Sequence, residues 1–268
     1  MSEAPEYQLQ IEDLHLSFGG LKALSGVSTG VKKGEIFSII GPNGAGKTCL
    51  LNCINNFYQP EKGKVIFEGR DITDLKAHRI ATLGIARTFQ NVELFAHMTV
   101  LDNIKLGGHV HLKSGVFSGG IYFGKTRREE MAFRKHIEKE IIDLLEIEHI
   151  RKRPVHTLPY GLQKRVEIAR ALAMRPKILL LDEPCAGMNL EETEDIARFV
   201  LDINEEWDVT IILIEHDMGV VMDISDRVCV LDFGIKIAEG DPLKIRHDEH
   251  VIKAYLGEED KTYSRLDA

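Results

Sequence analysis

Short apolar stretches with two different spacings recur along the chain. Over residues 9–16 apolar and polar residues nearly alternate, which is typical of a half-buried strand. A second strand-like stretch covers residues 24–31, after Phe18-Gly19-Gly20. Glycine pairs between two such stretches favour a turn, so this part of the sequence predicts antiparallel strands joined by a turn.

Three further runs, at residues 36–40, 178–181 and 209–214, are almost wholly apolar and rich in β-branched or aliphatic residues. Such runs are typical of strands buried on both faces, as in a parallel sheet that helices cover. Helical spacing predicts helices at residues 48–54, 162–174, 191–206 and 218–224, and shorter strands are predicted at residues 64–67, 85–88, 227–232 and 235–239. The alternation of strand and helix therefore predicts an α/β fold with a mostly parallel sheet.

The alternation of predicted strands and helices is interrupted between residue 100 and about residue 174. A stretch rich in Gly, His and Ser covers residues 107–124, and a charged helical pattern follows over residues 126–145. We interpret 100–174 as an inserted, mainly helical subdomain. Residues 1–100 and 175–268 would then form the α/β core of a single domain that spans residues 1–268.

Composition and charge narrow the function classes. The 268 residues are 44% hydrophobic and 28% charged, which fits one large globular domain. The 34 Lys+Arg against 42 Asp+Glu give a net charge of −8, which argues against nucleic acid as a partner. No apolar run approaches the roughly 20 residues of a membrane-spanning helix. The acidic amino terminus lacks a signal-peptide pattern, and the four cysteines lack metal-ligating spacing. We expect a cytosolic chain with reduced thiols.

The loop between residues 36–40 and 48–54 has the pattern G-x-x-x-x-G-K-[ST], which binds phosphate groups. Its glycines let the backbone turn tightly and direct several N–H groups towards one centre. Lys47 would reach the β- and γ-phosphates, and the Thr48 hydroxyl would ligate Mg²⁺. The loop predicts ATP or another nucleoside triphosphate as the ligand. The nucleotide-binding residues are predicted to be Gly41, Asn43, Gly44, Ala45, Gly46, Lys47, Thr48 and Cys49.

Polar residues that follow two of the apolar runs complete a candidate hydrolytic site. Asp182 and Glu183 end the run at residues 178–181, and His216 follows the run at 209–214. Ligands collect at the carboxyl ends of parallel strands, so Asp182 would help to hold Mg²⁺ near the phosphate loop. Glu183 would orient or deprotonate the attacking water. The imidazole of His216 would hydrogen-bond a γ-phosphate oxygen and the group that holds the water.

The motifs then resemble, in their order, those of the nucleotide-binding subunits of ATP-binding-cassette (ABC) transporters, over nearly the whole chain. They are the phosphate loop, Phe89-Gln90, Leu158-Pro159-Tyr160-Gly161, Asp182-Glu183-Pro184 and His216. The resemblance implies a P-loop NTPase with a RecA-like core, an N-terminal antiparallel β subdomain and an inserted α-helical subdomain. It also implies that Phe18 stacks on adenine, that Gln90 contacts Mg²⁺ or the lytic water, and that Gly161 lies in the signature motif. That motif faces the γ-phosphate of a second subunit.

Several positions depart from the general family pattern. Pro159, Tyr160 and Leu162 stand where the family signature has Ser, Gly and Gln, and Asn189 stands where Asp is usual. With Arg87-Thr88-Phe89-Gln90-Asn91 and the 107–124 insertion, these departures resemble the ATPases of branched-chain amino-acid importers. This resemblance implies transmembrane permease subunits and a second ATPase subunit as partners, in a homodimer or heterodimer. It also implies indirect coupling to a substrate-binding protein, and a location at the cytoplasmic face of the inner or plasma membrane.

Three other hypotheses stay open. A soluble ABC ATPase that acts on nucleic acid or ribosomes would usually have two cassettes or a long coiled-coil insertion. A lipid-export ATPase resembles the chain almost as well, although the 107–124 insertion favours the amino-acid type. A P-loop kinase acting on a small metabolite would leave the positions of Gln90, Gly161 and His216 as coincidences.

Overall fold

The computed structural model describes residues 7–88, 90, 92–111, 135 and 137–255. The strands of this part of the chain are β1 (Leu9–Phe18), β2 (Leu21–Val31), β3 (Ile36–Ile40), β4 (Lys62–Phe67), β5 (Arg70–Asp71), β6 (Ile85–Arg87), β7 (Ile178–Asp182), β8 (Thr210–Ile214), β9 (Arg227–Asp232) and β10 (Ile235–Gly240). The helices are α1 (Lys47–Ile54), α2 (Ala77–Leu83), α3 (Val100–Gly107), α4 (Ile142–Leu144), α5 (Tyr160–Leu172), α6 (Leu190–Trp207), α7 (Met218–Ile224) and α8 (Pro242–Arg246).

The strands form two sheets. The smaller sheet has the order β2-β1-β4-β5 and is antiparallel throughout. The larger sheet has the order β10-β9-β3-β8-β7-β6; all its neighbours are parallel except the β9–β10 hairpin. The mostly parallel sheet and the antiparallel β region are therefore confirmed.

Two hydrophobic layers explain why the central strands are almost wholly apolar. All five residues of β3, β7 and β8 are buried. Leu179 and Leu181 pack in a cluster that includes buried residues of α3, α5 and α6. Ile178 and Leu180 point to the opposite face, into a cluster with α1 and the antiparallel sheet. Since successive strand residues face opposite sides, a sheet covered on both faces requires continuous apolar runs.

The predicted boundaries differ from the observed ones by a few residues. The strand expected at 24–31 begins at Leu21, and the helix expected at 162–174 is Tyr160–Leu172. The sequence prediction missed α2 and the two-residue β5. Within 100–174 the described residues include helices and tight helical turns but no strand. Residues 112–124 of the predicted insertion, and most of the helical pattern at 126–145, lie outside the described residues.

None of the helices in the described part of the chain is long and apolar enough to cross a membrane.

Candidate active site

The predicted site residues gather at one edge of the parallel sheet. The phosphate loop follows β3, Asp182 ends β7, and His216 lies two residues after β8. Because β3, β6, β7 and β8 run in the same direction, their carboxyl ends share this edge. This is the edge at which ligands bind in open α/β sheets.

Backbone geometry requires glycine at two positions of the phosphate loop. Gly41 has φ 147°, and a Cβ atom there would lie 2.0 Å from the carbonyl oxygen of Leu231. Gly46 has φ 99°, and its Cβ would lie 2.6 Å from the carbonyl oxygen of Ala23. Both neighbours are backbone atoms, so a side chain at either position would deform the loop.

Lys47 begins α1 and its side chain lies back across the loop. The ammonium group donates to the carbonyl oxygens of Gly41 (2.7 Å) and Pro42 (3.0 Å), and the residue is buried. The first amides of a helix lack intrahelical acceptors and carry its positive dipole end. An ammonium group and a helix amino terminus at one loop form an anion-binding arrangement.

Glu183 is hydrogen-bonded on both carboxylate oxygens. Its Oε1 lies 2.6 Å from Nε2 of His216, and its Oε2 accepts from Nε2 of Gln90 at 2.8 Å. The structure thus brings together the three residues predicted to be catalytic. The side chain of Glu183 is 13% exposed, so its direction is set by two partners while the group stays accessible. A carboxylate held in this way can orient a water molecule and accept its proton.

The backbone of Glu183 is also constrained. Its φ is 51°, a left-handed conformation that non-glycine residues adopt rarely and at a cost. The Glu183 amide donates to the carbonyl oxygen of Ile214 at the end of β8, at 2.9 Å. This bond fastens the turn after β7 to the neighbouring strand.

The two carboxylate oxygens of Asp182 differ in their hydrogen bonding. Its Oδ2 accepts from a guanidinium nitrogen of Arg87 at 2.7 Å, and the two side chains are 1% and 7% exposed. Its Oδ1 is buried and has no hydrogen-bond partner among the described residues. Mg²⁺ prefers oxygen ligands and usually takes only one or two from protein side chains. The Asp182 oxygen without a hydrogen-bond partner in the described residues and the hydroxyl of half-buried Thr48 therefore fit a magnesium site.

Phe18 and Cys49 are also predicted to bind the nucleotide. Phe18 is 45% exposed at the end of β1, with its ring edge-to-face against Tyr58 at 5.0 Å between centroids. Its accessible ring suits stacking on a base. The side chain of Cys49 packs against the core, and burial raises the pKa of its thiol. Any contact of Cys49 with a nucleotide would come from its backbone.

The signature region begins α5. Pro159 is the N-cap residue without a side-chain capping bond, and Tyr160 is 42% exposed. Gly161 is buried, and a Cβ there would lie 2.5 Å from a carboxylate oxygen of Glu192. No hydrogen bond or ion pair within the described residues joins Phe18 or Gly161 to the Glu183 group. Phe89 lies outside the described residues.

Three charged residues that sequence reasoning did not select also contact the site. Arg87 bridges Asp182 and, at 2.6 Å, the amide oxygen of Asn52 in α1. Lys164 of α5 is 1% exposed and donates to the backbone oxygen of Gln90 at 3.0 Å. Glu215 is 3% exposed and immediately precedes His216. Arg87 and Glu215 follow apolar runs at the same sheet edge, which is the signal that could have identified them.

Family models match the chain in two places. The model described as "ABC transporter" matches residues 24–186, and "Branched-chain amino acid ATP-binding cassette transporter" matches residues 236–261. The chain is similar to BraF of Pseudomonas aeruginosa, a high-affinity branched-chain amino acid transport ATP-binding protein. The two are 43% identical over 254 residues, which are 93% of this chain and 98% of BraF. LivG of Escherichia coli, described in the same words, is 42% identical over 252 residues, with 93% and 98% coverage.

Solved structures give the same picture. The ADP conformation of MJ1267, an ATP-binding cassette of an ABC transporter, has a TM-score of 0.80 and 35% identity. The matched region covers 93% of this chain and 98% of the MJ1267 chain. A dimeric post-hydrolysis state of the cassette MJ0796, bound to ADP and Pi, has a TM-score of 0.72 and 26% identity, with 87% and 98% coverage.

Proposed function

The chain belongs to the ABC transporter family as an ATP-binding protein of the branched-chain amino-acid type, and we propose that it powers amino-acid uptake by hydrolysing ATP at Glu183. The family predicted from the motifs is thereby confirmed. The observation that carries the proposed site is the pair of hydrogen bonds from His216 and Gln90 to one carboxylate at the edge that holds the phosphate loop.

Binding would begin at the loop and at Phe18. The amides of residues 43–49 and the Lys47 ammonium face the triphosphate, and Phe18 stacks on the adenine ring. In the described structure Lys47 donates to two loop carbonyls. It would exchange these acceptors for phosphate oxygens, which form stronger charge-assisted hydrogen bonds.

Thr48 and Asp182 would hold Mg²⁺, with Gln90 beside them. When bound, the ion supplies positive charge against the charge that builds up on the phosphate oxygens. Asp182 is oriented for this role by Arg87, which occupies the other carboxylate oxygen. Glu183 follows directly in the chain, and its bonds to His216 and Gln90 would place its carboxylate near the same phosphate group.

Glu183 would orient the attacking water and accept its proton. His216 and Gln90 fix the carboxylate, and 40% of the His216 side chain is exposed and can reach a γ-phosphate oxygen. A side chain in the general-base role contributes about 10² to 10⁴ in rate. The cost of the strained Glu183 backbone is consistent with a functional constraint at this residue.

The second half of each site would come from another ATPase subunit. The amino terminus of α5, with Gly161, would face the γ-phosphate bound by the partner. The cassette MJ0796, which shares this fold, is dimeric in its structure with ADP and Pi, and this supports a second ATPase subunit. Residues 100–174 would form the inserted helical subdomain, and residues 1–100 and 175–268 the catalytic core.

The descriptions of the relatives support the proposed cargo and membrane partners. BraF and LivG are each described as proteins of high-affinity branched-chain amino acid transport. We propose that this chain binds transmembrane permease subunits at the cytoplasmic face of the inner or plasma membrane. Its ATP cycle would move substrate that a binding protein delivers, with no role for nucleic acid.

The Glu183→Gln variant tests the site. The amide keeps the size of the side chain but cannot accept the water's proton, so kcat for ATP hydrolysis should fall by about 10² to 10⁴. The affinity for ATP should change little. Glu205→Gln is the matched control, because Glu205 is exposed near the end of α6. Phosphate release and binding of a fluorescent ATP analogue are measured on the assembled complex. Unreduced turnover in Glu183→Gln would refute the proposed base.

A further inference from the structure

Glu215 is a buried carboxylate that the proposed mechanism leaves unused. It lies between the end of β8 and His216 and is 3% exposed. Ionisable side chains are rarely buried to this degree unless they are paired or hydrogen-bonded, because desolvation of a charge is costly. A role in holding the site would account for this cost.

The contacts of Glu215 link two chain segments. Its Oε1 accepts from the backbone amide of Cys185 at 2.7 Å, and its Oε2 accepts from the backbone amide of His216 at 3.0 Å. Cys185 lies two residues after Glu183. One carboxylate therefore bridges the turn that carries the proposed base and the turn that carries the histidine bound to it.

The surroundings of Cys185 point to the same carboxylate. Burial raises the pKa of the Cys185 thiol, and the charge of Glu215 and a hydrogen bond to it raise this pKa further. Two backbone amides thus donate to Glu215. A carboxylate with one acceptor oxygen towards each amide can satisfy both donors.

The strained backbone of Glu183 is held by hydrogen bonds on both sides. The left-handed φ of 51° persists only if the surroundings enforce it. On one side, the Glu183 amide is held by the carbonyl oxygen of Ile214 at 2.9 Å. On the other side, Glu215 holds the amide of Cys185. The two bonds fasten both sides of the turn to the end of β8.

We propose that Glu215 is a positioning residue that sets the distance between Glu183 and His216, and thereby the rate of ATP hydrolysis. The inference rests on the proposed roles of Glu183 and His216. Glu215 acts through backbone amides and does not contact substrate. Its loss should therefore change the chemical step more than nucleotide binding.

The Glu215→Gln variant is the first test, because the side chain keeps its size. The amide retains one acceptor oxygen, but its NH₂ group faces an N–H donor, so one bridge is lost. A displacement of about 1 Å can cost about a hundredfold in rate, and we expect kcat to fall about tenfold to a hundredfold. The apparent KM for ATP should change by less than about threefold, since uniform binding is retained.

Controls separate positioning from folding. Asp223→Asn, at an exposed residue of α7, should leave kcat, KM and the melting temperature unchanged. Glu215→Gln should keep its melting temperature within about 4 °C of the parent. If that variant does not fold, Glu215→Asp decides instead. It keeps the charge but is one methylene too short to reach both amides, so its kcat should also fall.

A double variant supplies the readout that a merely structural role would not give. The rate of single-turnover hydrolysis is measured. Adding Glu215→Gln to the Glu183→Gln variant should lower this rate little further, because substitutions of residues that act as a unit have non-additive effects. Parental kcat in a folded Glu215 variant would overturn the inference. An equal loss in both backgrounds, or an equal loss of ATP affinity and kcat, would overturn it as well. If Glu183→Gln itself retained turnover, the proposed function would fail first, so the two failures are distinguishable.

Discussion

At the level of single residues, the two carboxylate oxygens of Asp182 differ in their hydrogen bonding and therefore have different proposed roles. Oδ2 is paired with Arg87, whose guanidinium also contacts Asn52 in α1. Oδ1 is buried without a hydrogen-bond partner in the described part of the chain. The ion pair thus connects β6, β7 and the helix of the phosphate loop. We infer that Arg87 holds the carboxylate in place and leaves one oxygen for the metal.

Substitution of Arg87 by Met should destabilise the protein strongly. It would leave a buried carboxylate without its cation, a change that costs about 3–5 kcal/mol when one partner of a buried pair is removed. Denaturant-induced unfolding without nucleotide measures the change. Arg87→Lys, which keeps the charge, should recover part of the loss.

Arg198→Met is the comparison variant, because that arginine is 47% exposed in its ion pairs with Glu146 and Asp195. Exposed pairs contribute about 0–1 kcal/mol, so its effect should be much smaller. Equal effects at Arg87 and Arg198 would contradict the account of Asp182.

Residues at strand ends could be predicted, and residues that depend on tertiary contacts could not. Asp182, Glu183 and His216 each follow an apolar run, and parallel strands bring such ends together. The hydrogen bond from Lys164 to the Gln90 backbone depends on how α5 packs, which local sequence does not encode. Gln90 itself was selected only through the family resemblance.

At the scale of elements, the helix ends near the site differ in their capping. Asn189 caps α6 in a reciprocal arrangement with Glu192, in which each side chain accepts from the other residue's backbone amide. This capping box gives Asn189 a local role at the position where the family usually has Asp. Pro159 at the start of α5 makes no such bond. The signature helix thus begins with neither a capping side chain nor an N–H at residue 159.

Pro159→Ser should raise ATP hydrolysis by the assembled complex. Serine adds a hydroxyl donor and a backbone N–H at the helix end that is proposed to face the partner's γ-phosphate, and donors there stabilise developing negative charge. Pro159→Ala restores only the N–H, so the difference between the two variants isolates the hydroxyl. Steady-state kcat of the complex is the measurement. Equal rates in Ser, Ala and Pro forms would mean that the helix end with Gly161 suffices.

The central strands were predicted well because their burial is continuous. The runs that became β3, β7 and β8 lie between two hydrophobic layers, so they are almost wholly apolar. Helix α2 was missed because only one of its seven residues, Ile80, is buried, which leaves a weak periodic signal. The two residues of β5 are both exposed and form a strand only through pairing with β4. Their conformation is set by partners distant from the local pattern.

The whole molecule combines an ATP site with a helix end that is proposed to serve a second subunit. The phosphate loop, Asp182 and Glu183 share one edge of the central sheet, and α5 begins with the motif proposed to complete a partner's site. The fold and both family matches agree with an ATPase of a transporter. The coupling of hydrolysis to uptake would be a property of the proposed assembly with permease subunits.

Uptake of radiolabelled leucine by proteoliposomes tests the central claim most directly. The vesicles would contain this chain, its co-purified ATPase and permease partners, and MgATP on the cassette side, with the binding protein on the opposite side. We expect uptake to require MgATP. In the Glu183→Gln variant, uptake should fall together with the rate of ATP hydrolysis, while the Glu205→Gln variant should transport leucine normally. Leucine accumulation that persists without ATP or in Glu183→Gln, or ATP hydrolysis with no uptake of any branched-chain amino acid, would contradict the account.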